Sequence, residues 1–216
     1  MKKGKYISAN RRQRGFTMIE LMITITIVAV LASIAVPSMR TYVLNARLTS
    51  ASQELLRTFQ AARSEAVRRQ NNVVVCASAN PLAGTAAACT TGAASGWIMF
   101  QDSNSDWEHD SATEELIDVH GYDSSKMTML ADGSHRVSYG ANGFSSAGSG
   151  GASTTPSFSV VLCDERGNVD SNGGTAETNS VARGLIIANT GRARITKTLS
   201  DISTLLGSTF INASCP

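Results

Sequence analysis

The apolar and polar positions divide this chain into three stretches, and the first is almost wholly apolar. Residues 16–36 read FTMIELMITITIVAVLASIAV. As an α-helix this run would rise about 31 Å, which is enough to cross the hydrocarbon of a bilayer. Core helices of soluble domains rarely run this long without a polar face. The pattern therefore predicts a transmembrane segment over residues 16–37.

Apolar residues at steps of three and four mark the second stretch as a helix with one apolar face. No glycine lies between Phe16 and Ala83, and Pro37, where a kink could form, is the only proline before position 81. We therefore predict one long helix that ends near Gln70, with an amphipathic half over residues 38–70 that lies against a sheet. The apolar positions of that half are Leu44, Leu48, Ala51, Leu55, Phe59, Ala62 and Ala66.

From residue 71 onward the pattern changes to short β-branched and aromatic runs separated by polar turns. Two segments, 80–96 and 145–156, are rich in small and polar residues and are predicted to be loops. The chain is thus predicted to be of the α+β class, with the long helix packed on an antiparallel β-sheet domain over residues 71–216. The predicted strands are Val73–Cys76, Trp97–Phe100, Glu115–Val119, Met127–Leu130, Arg136–Tyr139, Phe158–Cys163, Gly184–Ala188 and Arg192–Thr196, the last two joined as a hairpin through Asn189, Thr190 and Gly191.

Basic charge is concentrated at the N-terminus. The net charge is +2, but residues 1–15 contain six basic residues and no acidic one. Without that segment 13 basic residues stand against 17 acidic residues, which is not the composition of a general polyanion binder. By the positive-inside rule the N-terminal charges also predict a cytoplasmic N-terminus, with the C-terminal domain on the other side of the membrane.

The four cysteines fit an oxidising compartment, because their number is even and they lack the spacing of a zinc site. Three pairings are open. We favour Cys76–Cys89, which would close a short loop rich in Ala and Gly, together with Cys163–Cys215, which would hold the C-terminal end of the chain. Each bridge would contribute about 2–4 kcal/mol.

The residues around the start of the apolar run carry a specific resemblance. The sequence RQRGFTMIELM resembles the prepilin signature of type IV pilins and type II secretion pseudopilins. The resemblance implies that a prepilin peptidase cuts between Gly15 and Phe16, removes residues 1–15 as a leader peptide and methylates the new Phe16 terminus. It also implies that Glu20, the fifth mature residue, pairs with the terminal amine of a neighbouring subunit. An ionisable group within hydrocarbon is costly, so Glu20 is expected to need such a partner.

The rest of the chain resembles one particular group of these proteins. The segments ARSEAV, WIMFQDSNSD and SFSVVLC, and the hairpin that ends in GRAR, resemble the minor pseudopilin group called GspH in secretion systems and FimT or FimU in type IV pili. This resemblance implies a periplasmic β-rich domain over residues 71–216 and a role in assembly near the tip of a pilus or pseudopilus. The implied partners are other pilin or pseudopilin subunits, the prepilin peptidase and the inner membrane. A single-pass anchored protein outside any filament is the remoter alternative.

Enzyme motifs do not accompany this architecture, since the sequence lacks H-E-x-x-H, G-x-S-x-G and a Walker loop. The three histidines, His109, His120 and His135, stand singly and are expected to be surface residues. We therefore predict no enzyme activity, no catalytic residues and no cofactor.

One acidic segment resembles the opening of a calcium loop. Asp102, Asn104 and Asp106 offer oxygen ligands at alternate positions, but Trp107 occupies the position where an EF-hand needs glycine. We therefore expect no metal site, and instead a polar hairpin loop whose side chains accept backbone hydrogen bonds.

A second functional hypothesis concerns the hairpin Gly191-Arg192-Ala193-Arg194, with Lys197 three residues further on. Residues two apart in a strand project on the same side, so Arg192 and Arg194 would lie about 7 Å apart, which suits successive phosphates. The element resembles the G-R-x-R motif linked with DNA binding in FimT-type pilins of naturally competent bacteria. Double-stranded DNA is therefore the alternative partner. The competing interpretation is a hairpin glycine followed by arginines that are solvated or paired with acids of a neighbouring subunit.

Overall fold

The computed structural model describes residues 15–131, 136–149, 152–155, 157–168, 179–198 and 200–202. The leader residues 1–14 and Cys215 lie outside this range. The chain divides into two units, residues 1–43 and 44–216. One helix, α1 (Met18–Arg69), contributes residues to both units and continues through Pro37.

The first unit is the apolar part of α1. Every side chain that the structure describes between Phe16 and Val43 is exposed. By length and composition this part of the helix is able to cross a membrane. An apolar surface on all sides of a helix is stable in lipid or against other apolar helices, which agrees with the predicted transmembrane segment.

The second unit contains the remainder of α1 and a β domain. Its described strands pair in an antiparallel manner throughout and form two sheets. The strands are β1 (Asn72–Ser78), β2 (Gly96–Asp102), β3 (Leu116–Gly121), β4 (Thr128–Ala131), β5 (Arg136–Tyr139), β6 (Ser145–Ser149), β7 (Ala152–Thr155), β8 (Ser157–Cys163), β9 (Asn179–Ala188) and β10 (Ala193–Thr198). One sheet has the order β3-β2-β1-β5-β6-β7 and the other the order β10-β9-β8-β4. The α+β class is therefore confirmed.

The amphipathic half of α1 packs on both sheets. Phe59 is buried, and its ring meets that of Phe158 on β8 edge-to-face, with the centroids 6.2 Å apart. On the other sheet, the buried Trp97 Nε1 donates a hydrogen bond to Thr58 Oγ1 at 3.1 Å. The shared core consists of Leu48, Leu55, Phe59, Ala62 and Ala66 of α1, Val73, Val75, Val137 and Tyr139 of the six-stranded sheet, and Phe158, Val160, Leu185 and Ile187 of the four-stranded sheet.

A second buried cluster lies on the opposite face of the six-stranded sheet. Its strand members, Val74, Cys76, Ile98 and Phe100, alternate with the residues that face α1. Because β1 and β2 are buried on both faces, their sequences are continuous apolar runs. The predicted disulfide Cys76–Cys89 is confirmed and joins β1 to the loop that covers this face. Cys163 is also disulfide-bonded, and its predicted partner, Cys215, lies outside the described residues.

The end of α1 follows the prediction. Gln70 adopts a φ of 53°, and Asn71 N donates to Ala66 O at 3.3 Å, so that the helix closes with a Schellman-type cap. The basic side chains of Arg68 and Arg69 lie in the last turn, where the helix dipole favours positive charge.

The prediction of a loop over residues 145–156 was wrong. Strands β6 and β7 occupy most of this segment, and β6 pairs with β5 through Val137 and Ala147, Ser138 and Ser146, and Tyr139 and Ser145. Backbone hydrogen bonds can extend a sheet at its edge with small polar side chains, so the strand lacks the apolar alternation that sequence reasoning relies on. Strand β9 also begins at Asn179, earlier than the predicted Gly184.

We expect Phe59→Ala to lower the free energy of unfolding by about 3–5 kcal/mol, because it removes a ring that is buried between α1 and β8. The neighbouring Gln60 is exposed, and Gln60→Ala should change stability by less than about 0.5 kcal/mol. Denaturant unfolding of the full-length protein in a nonionic detergent, followed by tryptophan fluorescence, measures both. Equal effects of the two substitutions would contradict a core that depends on this contact.

Candidate functional site

The start of α1 is held by Thr17. Its Oγ1 accepts a hydrogen bond from Glu20 N at 3.2 Å, and its carbonyl oxygen accepts one from Leu21 N at 3.2 Å. Thr17 is therefore the N-cap, and Thr17 to Glu20 have the spacing of a capping box. This cap was not predicted, although the T-x-x-E spacing of Thr17 and Glu20 signals it.

The bond that the prepilin signature marks lies before the helix begins. Phe16 is 80% exposed, and no described atom lies within 4 Å of the position that a Gly15 Cβ would occupy. A peptidase can therefore act at Gly15–Phe16 without unwinding α1. Glu20 lies at the third helical position, where the dipole of the helix favours a negative charge.

Polar side chains within the apolar part of α1 differ in whether they have a partner inside the helix. The hydroxyl groups of Thr24, Thr26 and Ser33 donate to the carbonyl oxygens of Leu21, Met22 and Val30 at 2.8, 2.8 and 2.7 Å. The carboxylate of Glu20, in contrast, forms no ion pair or hydrogen bond with any residue that the structure describes. Among the described polar side chains of residues 16–36, Glu20 is therefore the one whose polar group is left without a partner.

The hairpin that carries Arg192 packs against a second turn. Gly191 has a φ of +76° and closes the first turn by donating its N–H to Ala188 O at 2.8 Å. Gly143 has a φ of +75° and closes the second turn in the same way, by donating to Gly140 O at 2.8 Å. We call these two turns, 140–144 and 188–192, together with Arg63 of α1, the turn junction.

Gly191 is required at the turn junction for two reasons. Its φ lies in the left-handed region, which side chains other than glycine rarely adopt. A methyl group there would also lie 2.2 Å from Gly143 O and 3.1 Å from Arg63 Nε. Contact between the backbones of the two turns therefore fixes the place of the hairpin beside α1.

Arg63 lies against both glycines, because a methyl group at Gly143 would be 3.3 Å from its Nε. It is exposed, and no described carboxylate pairs with it. Beneath it, the buried hydroxyl of Tyr139 makes no hydrogen bond to a described residue. Burial raises the pKa of Tyr139 well above its usual range, and the charge of Arg63 opposes that rise. The sequence pattern gives no sign of this contact, because only tertiary packing brings α1 to this turn.

Arg192 and Arg194 are both exposed and flank the partly buried Ala193, while their surroundings differ. Arg192 precedes β10 and is exposed, with no ion pair to a described residue. Arg194 is 59% exposed, and its Nη1 lies 4.0 Å from Asp201 Oδ2. Lys197 lies at a β-bulge between Thr196 and Thr198. Of the predicted basic residues on this hairpin, Arg192 is thus the one that belongs to the turn junction.

The acidic loop is ordered by its own backbone. Asp102 accepts hydrogen bonds from Ser105 N at 2.7 Å and from Trp107 N at 3.3 Å. Glu114 in the same way accepts from Ser103 N at 2.9 Å and from Asp110 N at 3.0 Å. Burial raises the pKa of Asp102. These carboxylates are therefore engaged as turn-stabilising acceptors, which is the arrangement expected for a polar loop.

His120 is not the isolated surface residue that the sequence suggested. Its ring stacks on Trp97 with the centroids 5.2 Å apart, and its Nε2 lies 2.9 Å from Asp118 Oδ2. Its Nδ1 lies 3.5 Å from Glu54 Oε1 on α1. The register between β2 and β3, which sets Trp97 opposite His120, explains the error.

The ring of His120 lines an open cavity of about 480 Å³. Charged side chains of both signs border this cavity, whose other lining residues include Arg47, Glu54, Trp97, Tyr122, Asp123 and Lys126. Of the other histidines, His109 is partly buried with its Nδ1 2.7 Å from Ala87 O, and His135 lies outside the described residues.

Comparison with known proteins gives matches to both halves of the chain. The family described as type II transport protein GspH matches residues 51–191, and the prokaryotic N-terminal methylation motif matches residues 10–36. Prepilin peptidase-dependent protein D of Escherichia coli (strain K12) is 46% identical over 48 residues, which are 22% of this chain and 30% of the length of that protein.

Two crystal structures of the type IV minor pilin FimU from Pseudomonas aeruginosa (strain PAO1) also resemble the chain. They have TM-scores of 0.42 and 0.44 and sequence identities of 21% and 20%. The matches cover 70% and 72% of this chain, and 94% and 91% of the FimU chains.

We expect Gly191→Ala to lower the free energy of unfolding by about 1–3 kcal/mol, because it strains the turn and displaces either Gly143 or Arg63. Gly92→Ala is the matched control, since a methyl group there meets only Thr90 Oγ1, at 3.6 Å. The control should leave stability unchanged or slightly raised. Thermal unfolding of the full-length variants in a nonionic detergent gives the comparison. A midpoint for Gly191→Ala as high as that of the control would show that the two turns are not in contact.

Proposed function

Because the chain belongs to the GspH family of type II transport proteins, we propose that it is a minor pilin or pseudopilin subunit that takes part in assembly near the tip of a type IV pilus or type II secretion pseudopilus. In this proposal a prepilin peptidase cuts between Gly15 and Phe16 and methylates Phe16. The apolar part of α1 first anchors the protein in the inner membrane, with the β domain in the periplasm, and then packs among the helices of other subunits.

The unpartnered carboxylate of Glu20 carries this proposal. Placing an ionised group within hydrocarbon costs about 2.5–3.5 kcal/mol on insertion scales. The other polar side chains of the segment are hydrogen-bonded within the helix, so they impose no such requirement. Cleavage before Phe16 would create a positive amine in every subunit, at nearly the same depth as Glu20. Pairing between the amine of one subunit and the Glu20 of its neighbour would offset the cost and set the stagger of the two helices.

The β domain agrees with a periplasmic location. The disulfide Cys76–Cys89 is formed, and such bonds persist in oxidising compartments. We assign no reaction to the protein itself. Its proposed partners are the prepilin peptidase during processing and other pilin or pseudopilin subunits afterwards.

We expect Glu20→Gln to insert and to be processed normally but to enter the filament at least tenfold less than the parent, because about 1.4 kcal/mol of lost pairing corresponds to a factor of ten. Intact-mass analysis, which should find a methylated Phe16 terminus, reports processing. The amount of the protein in sheared pili or purified pseudopili reports incorporation.

Thr24→Val is the matched control, since it replaces a polar group of the same segment that is satisfied within the helix. It should be incorporated like the parent. Normal incorporation of Glu20→Gln would refute the charge pair, and a chain that keeps residues 1–15 would refute the proposed processing.

A second candidate function is binding of double-stranded DNA by the Gly191-Arg192-Ala193-Arg194 hairpin. It is favoured by the exposure of Arg192 at a rigid turn without a described acid partner. The proximity of Arg194 to Asp201 argues for a weaker contribution from Arg194. Binding of this kind would be driven by phosphate contacts and would weaken steeply as salt rises.

For the full-length protein in a nonionic detergent, we expect Arg192→Gln/Arg194→Gln to weaken duplex mobility shifts and to reduce the slope of log K against log salt by about 1–2. Arg47→Gln/Arg57→Gln, which removes two exposed arginines from α1, is the control with the same change in net charge. If the two double variants lose equal affinity, the hairpin has no special role. If the parent binds no DNA, this candidate function fails and the assembly function is unaffected.

A further inference from the structure

The turn junction holds an aromatic ring at the surface of the β domain. Phe144 is 55% exposed, but its backbone is fixed by two hydrogen bonds. Its N–H donates to Asn142 Oδ1 at 3.0 Å, and its carbonyl oxygen accepts from Gly140 N at 3.0 Å. The ring is therefore exposed to solvent on a turn whose backbone is already fixed. Binding at the ring would cost little backbone conformational entropy.

Basic groups without an acid partner surround the same turns. Arg63 lies against the backbone of Gly143 and Gly191, and Arg192 directly follows Gly191. Neither guanidinium forms an ion pair with a residue that the structure describes. Val67, 45% exposed and one helical turn beyond Arg63, adds an apolar edge next to Gly143. The junction therefore combines an exposed ring with an uncompensated positive charge.

We propose that the turn junction binds single-stranded nucleic acid, with an unpaired base stacked on Phe144 and the flanking phosphates bound by Arg63 and Arg192. This inference rests on the DNA-binding function proposed above for duplex DNA and extends the same site to single strands, which it would bind more tightly than a duplex. In a duplex the faces of the bases are covered by their neighbours, so a fixed ring gains nothing from stacking. In a single strand every base offers a free face, and aromatic rings combined with cationic grooves are the usual means of binding it.

The composition of the junction favours a nucleic acid over a protein partner. A protein surface that matched it would have to supply carboxylates for two guanidinium groups together with an apolar socket for one ring. A single strand supplies phosphates and bases in alternation along its own backbone, so the same segment can satisfy all three side chains. Arg63 belongs to the site because Gly143 and Gly191, both without side chains, let the guanidinium reach the turns.

The test compares a fluorescein-labelled oligothymidine of about 20 nucleotides with a duplex of equal length, by fluorescence anisotropy on the full-length protein in a nonionic detergent. The parent should bind the single strand more tightly. Phe144→Ala should lower the affinity for the single strand by about 5- to 100-fold, while duplex binding changes by less than about twofold. Phe144→Trp should retain single-strand binding. Arg63→Gln should lower the affinity for the single strand by about 3- to 10-fold. It should also reduce the slope of log K against log salt by about 0.7 for each phosphate contact that is lost.

Arg57→Gln is the control for Arg63→Gln, because Arg57 is an exposed arginine on another face of α1. It should bind like the parent, and the thermal midpoints of all variants should agree with that of the parent.

Duplex binding that depends on Arg192 and Arg194, with no effect of Phe144→Ala on either ligand, would overturn this inference and leave the DNA-binding function standing. Loss of filament incorporation by Phe144→Ala with unchanged oligonucleotide binding would assign the ring to a subunit contact instead. Absence of binding to both ligands by the parent would overturn the inference and the DNA-binding function together.

Discussion

The β domain depends on the contact of one apolar helix face with two sheets at once. The sheets are interleaved along the chain, since β4 and β8–β10 form one sheet while β1–β3 and β5–β7 form the other. Neither sheet has a complete core of its own on the side that faces α1. Leu55 and Phe59 fill that space and touch residues of both. The hydrophobic stabilisation of the domain is therefore concentrated on a short length of helix, in which the loss of one ring leaves a cavity that two sheets would have to close.

The two parts of α1 carry different side-chain patterns. From Met18 to Val36 the helix is almost wholly apolar, and the hydroxyl groups of Thr24, Thr26 and Ser33 donate to carbonyl oxygens of the helix itself, an arrangement suited to lipid. From Leu44 onward only one face is apolar, and the other carries charges that form ion pairs such as those of Arg69 with Glu65 and Glu115. Glu20 is the exception to the first pattern. A carboxylate that remains unpaired in an otherwise self-satisfied segment is more informative about assembly than the apolar residues around it.

The turn junction shows how a site can be assembled from segments that are distant in the sequence. Gly143 and Gly191 each adopt a left-handed conformation, and each leaves room for the guanidinium of Arg63. The contact depends on the absence of a side chain at these glycines. A single methyl group at Gly191 would separate the two turns and displace Arg63. The exposed Phe144 and Arg192 each follow one of these glycines and are oriented by the same close contact.

Elements whose signals are local could be predicted from the sequence. Neighbouring residues are enough to predict the apolar span from Phe16 to Val36, the end of α1 near Gln70 and the Gly15–Phe16 signature. The same holds for the strands that show apolar alternation or a continuous apolar run. The pairing of Cys76 with Cys89 was also predicted, because the bridge closes a short loop. Features that depend on strand register and on contacts between distant segments could not be predicted in this way. Packing placed His120 on Trp97, made most of the small polar segment 145–156 into the last two strands of the six-stranded sheet, paired Arg194 with Asp201 and brought Arg63 to the hairpin. A sequence pattern indicates which face of a helix or strand is apolar. Which other segment of the chain covers that face is decided by packing over the whole domain.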